Sequence, residues 1–376
     1  MKIRLELGGI FVLCLGLILT NLNGQSTNLA DANFQEIFLK AQKGDPVAQY
    51  NLGAAYLNGN GVEKDYAEAV KWYRKAAKQN YAQAQYSLGV CYYDGEGGEK
   101  DYSEAVKWVR KAADQNFANA QFGLGYSYYY GEGIAKNYAE ALKWYRKAAD
   151  QNDPKAQYGL GILYSNGQGV EKDCSEAVKW VRKAADQNFA DAQSGLGYCY
   201  KHGEGVEKDY SEAVKWYRKA AEQNDAKAQY NLGVCYANGE GVEKNYTEAV
   251  KWYRKAADQN NANAQFDLGR CYDYGNGVEK SFAEAVKWYR KAAEQNDARA
   301  QYNLGACYAN GEGVEKNIVE AYAYLNLASK ADLNAGRIRD GLEKRMTFWQ
   351  IADGQERTKE LRAKIEAKMK SRKHLP

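Results

Sequence analysis

The chain has 376 residues, a formal net charge of +4 and 32 tyrosines. Length alone would divide it into two or three globular domains. The positive charge is unevenly placed, with seven Lys/Arg against two acids between Lys359 and Lys373, which leaves the rest near −1. A near-neutral body excludes the basic face that nucleic-acid binding requires.

Residues 1–25 open with Lys2 and Arg4, followed by an apolar run from Leu7 to Thr20. That run is short of the about 20 residues a membrane span needs. Its charged start and apolar core fit a secretory signal peptide cleaved after Gly24, an uncleaved anchor over residues 7–20 being the alternative. Export of this kind points to a bacterial periplasmic or secreted protein. Residues 26–44 are expected to form an N-terminal capping helix, in which Asp31 starts a turn carrying Phe34, Ile37, Phe38 and Ala41.

From residue 45 the chain repeats. Leu-Gly pairs stand at Leu52-Gly53 and then every 36 residues to Leu304-Gly305, eight copies in all. A fixed period of this length is the mark of a solenoid, in which each unit buries its apolar face only against its neighbours. In the copy that begins at Asp225, the Asp caps a first helix with Ala228, Leu232, Cys235 and Tyr236 on one face. Gly239 ends that helix, and Asn245 with Glu248 opens a second one as a capping box. The second helix turns Ala249, Val250, Tyr253, Ala256 and Ala257 inward, with Trp252 adding bulk, and it stops at Asn260. The same Asx/Ser-x-x-Glu box recurs in all eight copies, from Asp65/Glu68 to Asn317/Glu320. A glycine in mid-helix costs about 1 kcal/mol against alanine, so the Leu-Gly glycine marks a close approach of the partner helix. Tyr56, Tyr92, Tyr128, Tyr164, Tyr200, Tyr236, Tyr272 and Tyr308 hold one repeat position and read as core.

After the eighth copy, residues 331–376 are expected to supply C-terminal capping helices and a basic tail. One helix lies near 333–345, and a longer one starts from a Thr347/Gln350 box with an apolar stripe of Phe348, Trp349, Ile351 and Leu361.

The pattern Ala228…Leu232-Gly233…Tyr236, Gly239-x-Gly241-Val242, Ala249…Trp252-Tyr253…Lys255-Ala256-Ala257 resembles the Sel1-like repeat family, relatives of the tetratricopeptide repeats, over about residues 45–330. The resemblance implies an all-α, right-handed α-solenoid of eight 36-residue helix-loop-helix repeats. It also implies an adaptor for other proteins whose first helices line the concave face. A cysteine-rich secreted branch of the family pairs cysteines across a short helix-turn; Ala257 and Gln265 stand at those places here, so that framework is missing.

Catalytic and cofactor chemistry is not legible. Cys91, Cys199, Cys235, Cys271 and Cys307 share a site that other copies fill with Ala55, Ser127 and Leu163, which is a packing site. Only His202 and His374 could serve as imidazole ligands, too few for a zinc site. Gly-x-Gly loops such as Gly203-Glu204-Gly205 lack a P-loop lysine and read as turns. No cofactor and no metal are expected. Two other classes of function stay open: a cell-wall-active hydrolase resembling β-lactamases, by analogy with the cysteine-rich branch, and a carbohydrate binder.

A binding face should differ between copies, because no packing constraint fixes it. At one, four and five residues past the glycine the middle copies are aromatic and individual. Tyr126, Tyr129, Tyr130, Tyr198, His202, Arg270 and Tyr274 are therefore the expected partner-binding residues. The expectation is a monomeric, non-enzymatic scaffold that grips a protein or peptide partner, with no nucleic acid and no membrane contact beyond the N-terminal segment.

Overall fold

The structure is a computed structural model that describes residues 26–373; the signal-peptide reading of residues 1–25 lies outside the described residues. Among the described residues there are nineteen α-helices and no strand. Helix α1 (Ser26–Gln42) precedes the first four pairs. These are α2 (Pro46–Asn58) with α3 (Tyr66–Lys78), α4 (Ala82–Asp94) with α5 (Tyr102–Asp114), α6 (Ala118–Tyr130) with α7 (Tyr138–Asp150), and α8 (Pro154–Asn166) with α9 (Cys174–Asp186). Four more pairs follow: α10 (Ala190–His202) with α11 (Tyr210–Glu222), α12 (Ala226–Asn238) with α13 (Tyr246–Asp258), α14 (Ala262–Tyr274) with α15 (Phe282–Ala293), and α16 (Ala298–Asn310) with α17 (Ile318–Ala328). Helices α18 (Leu333–Glu343) and α19 (Phe348–Lys373) close the chain. Two compact units result, one ending at Phe189 and the other beginning at Ala190. Inside each unit the two helices of a repeat pack together, and each second helix packs on the next first helix.

The core follows the period. Ala228, Leu232 and Cys235 are buried from the first helix, and Ala249, Val250, Tyr253, Ala256 and Ala257 from the second. The Leu-Gly glycine is where the two backbones meet. A Cβ added at Gly233 would lie 2.6 Å from the Tyr253 ring, and one at Gly161 would lie 2.4 Å from Val181 Cγ2. No real side chain fits there, which explains a glycine in mid-helix.

The capping boxes are half of what the pattern predicts. Each N-cap side chain accepts from the N3 backbone N–H, as Asn245 Oδ1 does from Glu248 at 3.0 Å. The glutamate does not reach back. The N-cap N–H donates instead to the carbonyl of the tyrosine in the preceding helix, Asn245 to Tyr236 at 2.8 Å and Asp65 to Tyr56 at 2.9 Å. The glutamate is thereby released to pair with the lysine one turn on, as Glu176 does with Lys179 at 2.9 Å. Only Thr347 and Gln350 form the reciprocal box among these, at 2.9 and 3.2 Å. At the other end of each second helix of the first seven pairs an asparagine takes the left-handed conformation, Asn260 at φ 63°.

The tyrosines read as core at Tyr92, Tyr128, Tyr236 and Tyr308 are half-buried rather than buried. A phenol needs a partner for its hydroxyl, and these find it at the rim. Arg74 donates to Tyr92 at 2.6 Å, Arg110 to Tyr128 at 2.9 Å, Arg218 to Tyr236 at 2.7 Å and Arg290 to Tyr308 at 2.9 Å. Each bond runs from one repeat to the next.

Both ends are covered. Helix α1 runs through Asp31 from Ser26, so Asp31 does not start it. Phe34, Ile37 and Phe38 pack on Ala41, Ala48, Leu52 and Trp72 as the spacing predicts. On α19 the expected stripe is wrong at its start: Phe348 and Trp349 are 76% and 75% exposed and pack on each other. The buried row is Gly354, Thr358, Leu361 and Ile365, and Gly354 lets the Tyr322 ring approach to 2.6 Å of where a Cβ would be. Among the described residues no helix is long and apolar enough to cross a membrane.

Candidate functional site

The variable positions of the first helices lie one, four and five residues past the Leu-Gly glycine. In the first unit Tyr126 and Tyr130 are half-buried with ring centroids 4.5 Å apart. Tyr129 is buried to 8% exposure, so it is not an open contact residue. It packs edge-on against Tyr130 and Tyr138, and its hydroxyl donates to Gln168 Oε1 of the following repeat at 3.2 Å. In three copies the position four residues past the glycine is a repeat-to-repeat tie. Tyr93 donates to Glu132 in the same register, and Lys201 pairs with Glu240 at 2.8 Å.

In the second unit Tyr198 is half-buried and stacks on exposed His202 at 4.1 Å. Arg270 is exposed and lies over the rings of Phe266 and Tyr274, while Tyr274 is 64% exposed. Arg270 also pairs loosely with Asp267 at 3.5 Å. The expected residues therefore form one cluster in the first unit and two dyads, Tyr198/His202 and Arg270/Tyr274, in the second.

Sequence reasoning missed the polar groups beside them. Asp267 accepts from the Tyr230 hydroxyl at 3.1 Å, and burial raises its pKa above the ordinary carboxylate value despite Tyr230, Arg270 and Arg299. Arg299 stacks over Phe266 at 4.3 Å and donates to Asn263 at 2.7 Å. Burial pushes the Tyr126 phenol up to about 12, with Glu132 adding to it. Asp267 lies two residues before its glycine, Tyr230 three, Asn263 and Arg299 six, and Glu132 in the following loop. Asp267 and Arg299 depart from the other copies, which was the available signal; Tyr230 and Glu132 carry the commonest residue at their positions and gave none.

A line of glutamines was missed as well. Gln85, Gln121, Gln229 and Gln265 are buried in the first helices. Gln229 Nε2 donates to Ala221 O at 3.2 Å and to Asn224 Oδ1 at 3.2 Å, and its Oε1 accepts from Gln259 at 2.8 Å. This network is structural, since every arm ends on the chain's own backbone or amides.

Chemistry elsewhere is quiet. The described cysteines are free, and burial pushes the thiols of Cys91, Cys271 and Cys307 up to about 12 and that of Cys235 to about 11. Such thiols stay protonated and unreactive. Among the described residues no group of three potential metal ligands exists. The Gly-x-Gly loops close on protein rather than on a ligand: a Cβ at Gly241 would lie 2.2 Å from the Tyr210 carbonyl oxygen. A cleft of about 490 Å³ opens beside α5, lined by Lys107, Trp108, Arg110 and Lys111. Its cations are engaged, Lys107 with Glu104, Arg110 with Tyr128 and Lys111 over Trp108.

The Sel1 repeat profile matches this chain eight times in succession, over residues 46–81, 82–117, 118–153, 154–189, 190–225, 226–261, 262–297 and 298–333. The crystal structure of a Sel1 repeat protein from Oxalobacter formigenes is 31% identical with a TM-score of 0.64, covering 86% of this chain and 95% of that one. The crystal structure of c5321, a protective antigen of uropathogenic Escherichia coli with an SLR fold, is 33% identical with a TM-score of 0.49, covering 93% and 91%. A sel1-like repeat-containing protein of Acanthamoeba polyphaga mimivirus is 44% identical over 46 residues, which are 12% of this chain and 8% of that protein. The matched stretch is thus a small part of that relative.

Proposed function

This chain belongs to the Sel1 repeat family, and from that premise we propose that it is a non-enzymatic scaffold that binds a protein partner along its first-helix face. The bound element is an extended peptide or a partner's loop. One observation carries the reading. Positions that build the stack repeat from copy to copy, whereas those held by Tyr126, Tyr130, Tyr198, His202, Arg270 and Tyr274 change between adjacent copies, and these six are at least partly open to solvent. Stability needs none of that variety, and rigid aromatic side chains supply contact area at low entropic loss. Tyr129 supports the first cluster from below. If residues 1–25 direct export, the partner lies in the periplasm or outside the cell.

Crosslinking and capture with the full chain tests this. Tyr126→Ala/Tyr130→Ala and, separately, His202→Ala/Tyr274→Ala should each reduce capture of a crosslinked partner while helical content stays unchanged. Crosslinks confined to the outer face of the second helices, or capture unaffected by both variants, would remove the proposal.

A further inference from the structure

The C-terminal cap carries a second surface, independent of the first-helix positions. Helix α18 ends at Glu343, and Lys344, Arg345, Met346 and Thr347 lead into α19. This turn is fixed on both sides. Met346 packs on the cluster of Ala321, Leu325, Ala328, Ala335 and Leu342. Thr347 and Gln350 close the reciprocal capping box. The buried row that begins at Gly354 sets the rotation of α19. Phe348 and Trp349 stand six and five residues before Gly354, which at 3.6 residues per turn directs both away from that row. Their rings meet edge-on at 5.5 Å and stay in solvent. Two large aromatic rings held in water by a rigid turn forgo the burial that such side chains usually gain.

The charge beside them is positive and free. Asp340 is held by Arg339 at 2.5 Å, and Glu343 accepts from the Tyr322 hydroxyl at 2.8 Å. Lys344 and Arg345 are exposed and form no ion pair among the described residues. Asp353, one turn past Trp349, is exposed and offsets one of these two cations. Six consecutive residues, 344 to 349, thus present two free cations and two free aromatic rings on one capped turn.

We propose that this turn docks on a membrane surface that contains anionic lipid. Lys344 and Arg345 would lie against the headgroups, whose negative potential attracts them. Phe348 and Trp349 would enter the boundary between headgroups and acyl chains, where an aromatic body with a polar edge is favoured. A second copy of this chain fits less well, because a two-fold contact would bring Lys344 and Arg345 against their own equivalents. Among the described residues no helix is long and apolar enough to cross a membrane, so the contact is peripheral and one aromatic pair deep.

The test uses the full chain with vesicles of brominated phosphatidylcholine, alone or in equal mixture with brominated phosphatidylglycerol. Bromine quenches tryptophan that enters the bilayer, and the Trp349 signal is the emission of the full chain less that of Trp349→Phe. A tether through residues 1–25 would bring the chain to both vesicles alike, whereas this signal reports Trp349 itself. It should be largely lost in the mixed vesicles and kept in the neutral ones. Lys344→Gln/Arg345→Gln should raise the lipid concentration for half-quenching by about tenfold. Lys215→Gln/Lys251→Gln, on exposed second-helix lysines of the same unit, should change it by less than about twofold. Circular dichroism confirms that each variant folds. Trp349 unquenched in the mixed vesicles, or equal effects of the two lysine-site variants, overturns the proposal. So does a lipid-free dimer, seen by sedimentation, that Phe348→Ser/Trp349→Ser dissolves, because the occupant is then a second copy. Tyr126→Ala/Tyr130→Ala should leave the quenching unchanged, so the scaffold reading and this one can fail separately.

Discussion

Two kinds of residue in this chain work against local preference, and each reports on something beyond the helix that holds it. Gly233 gives up helix propensity so that Tyr253 can press on the backbone. Gly233→Ala should therefore lower stability by about 1–3 kcal/mol, because overpacking outweighs the propensity gained; urea denaturation measures it, and a stabilised variant would contradict the close approach. Asp94 opposes its helix end without a packing return. Its folded pKa lies above the unfolded reference of about 3.9. The carboxyl thus favours folding below that reference and loses its contribution as pH rises through the folded value. Asp94→Asn should stabilise the chain at neutral pH, with the gain shrinking as pH falls through the raised pKa. Urea midpoints across that range check the sign, and a gain that grows on acidification would be the wrong one.

At the scale of the element, the joints between repeats are polar as well as apolar. The buried Gln229 links the end of one repeat to the end of the next through Ala221, Asn224 and Gln259. Gln229→Leu should cost about 1–3 kcal/mol by stranding those groups. Adding Gln259→Leu should cost less than its separate effect, since the two share one bond. A double-mutant cycle measured by urea denaturation would show additivity if the bond were idle. The half-formed capping boxes belong to the same logic. Because the N-cap N–H already has the tyrosine carbonyl, the glutamate is free to pair with lysine along the exposed face, where such pairs contribute little.

For the whole molecule, stability should behave as a sum over repeats and their junctions. Removing residues 226–261, one full period, joins equivalent positions and should leave a cooperative, helical protein with a smaller urea m-value. Removing half a period would bring two helices of one kind together and should cost most of the helical signal. Circular dichroism distinguishes the outcomes; equal tolerance of both deletions would contradict period-locked packing. The same repetition explains how binding residues can accumulate without unfolding anything. Tyr126, Arg270 and Tyr274 sit where neighbouring copies carry smaller residues, so their loss should change binding and not folding.

The period, the two helices per repeat, the close approach at Leu-Gly and the packing role of the cysteines were all determined by the sequence alone. They depend on spacing and on the size of one side chain against its neighbour, and eight copies repeat the message. What only the tertiary structure decided were matters of partner and direction. Tyr129 sinks beneath its neighbours because Gln168 of the next repeat takes its hydroxyl. Phe348 and Trp349 turn outward because Gly354, Thr358, Leu361 and Ile365 set the rotation of α19. The glutamines are buried because amides 30 residues away satisfy them. A pattern along one helix shows which face is apolar. Which polar atom across the junction answers a buried one depends on how the repeats pack in space, and spacing along the chain does not encode it.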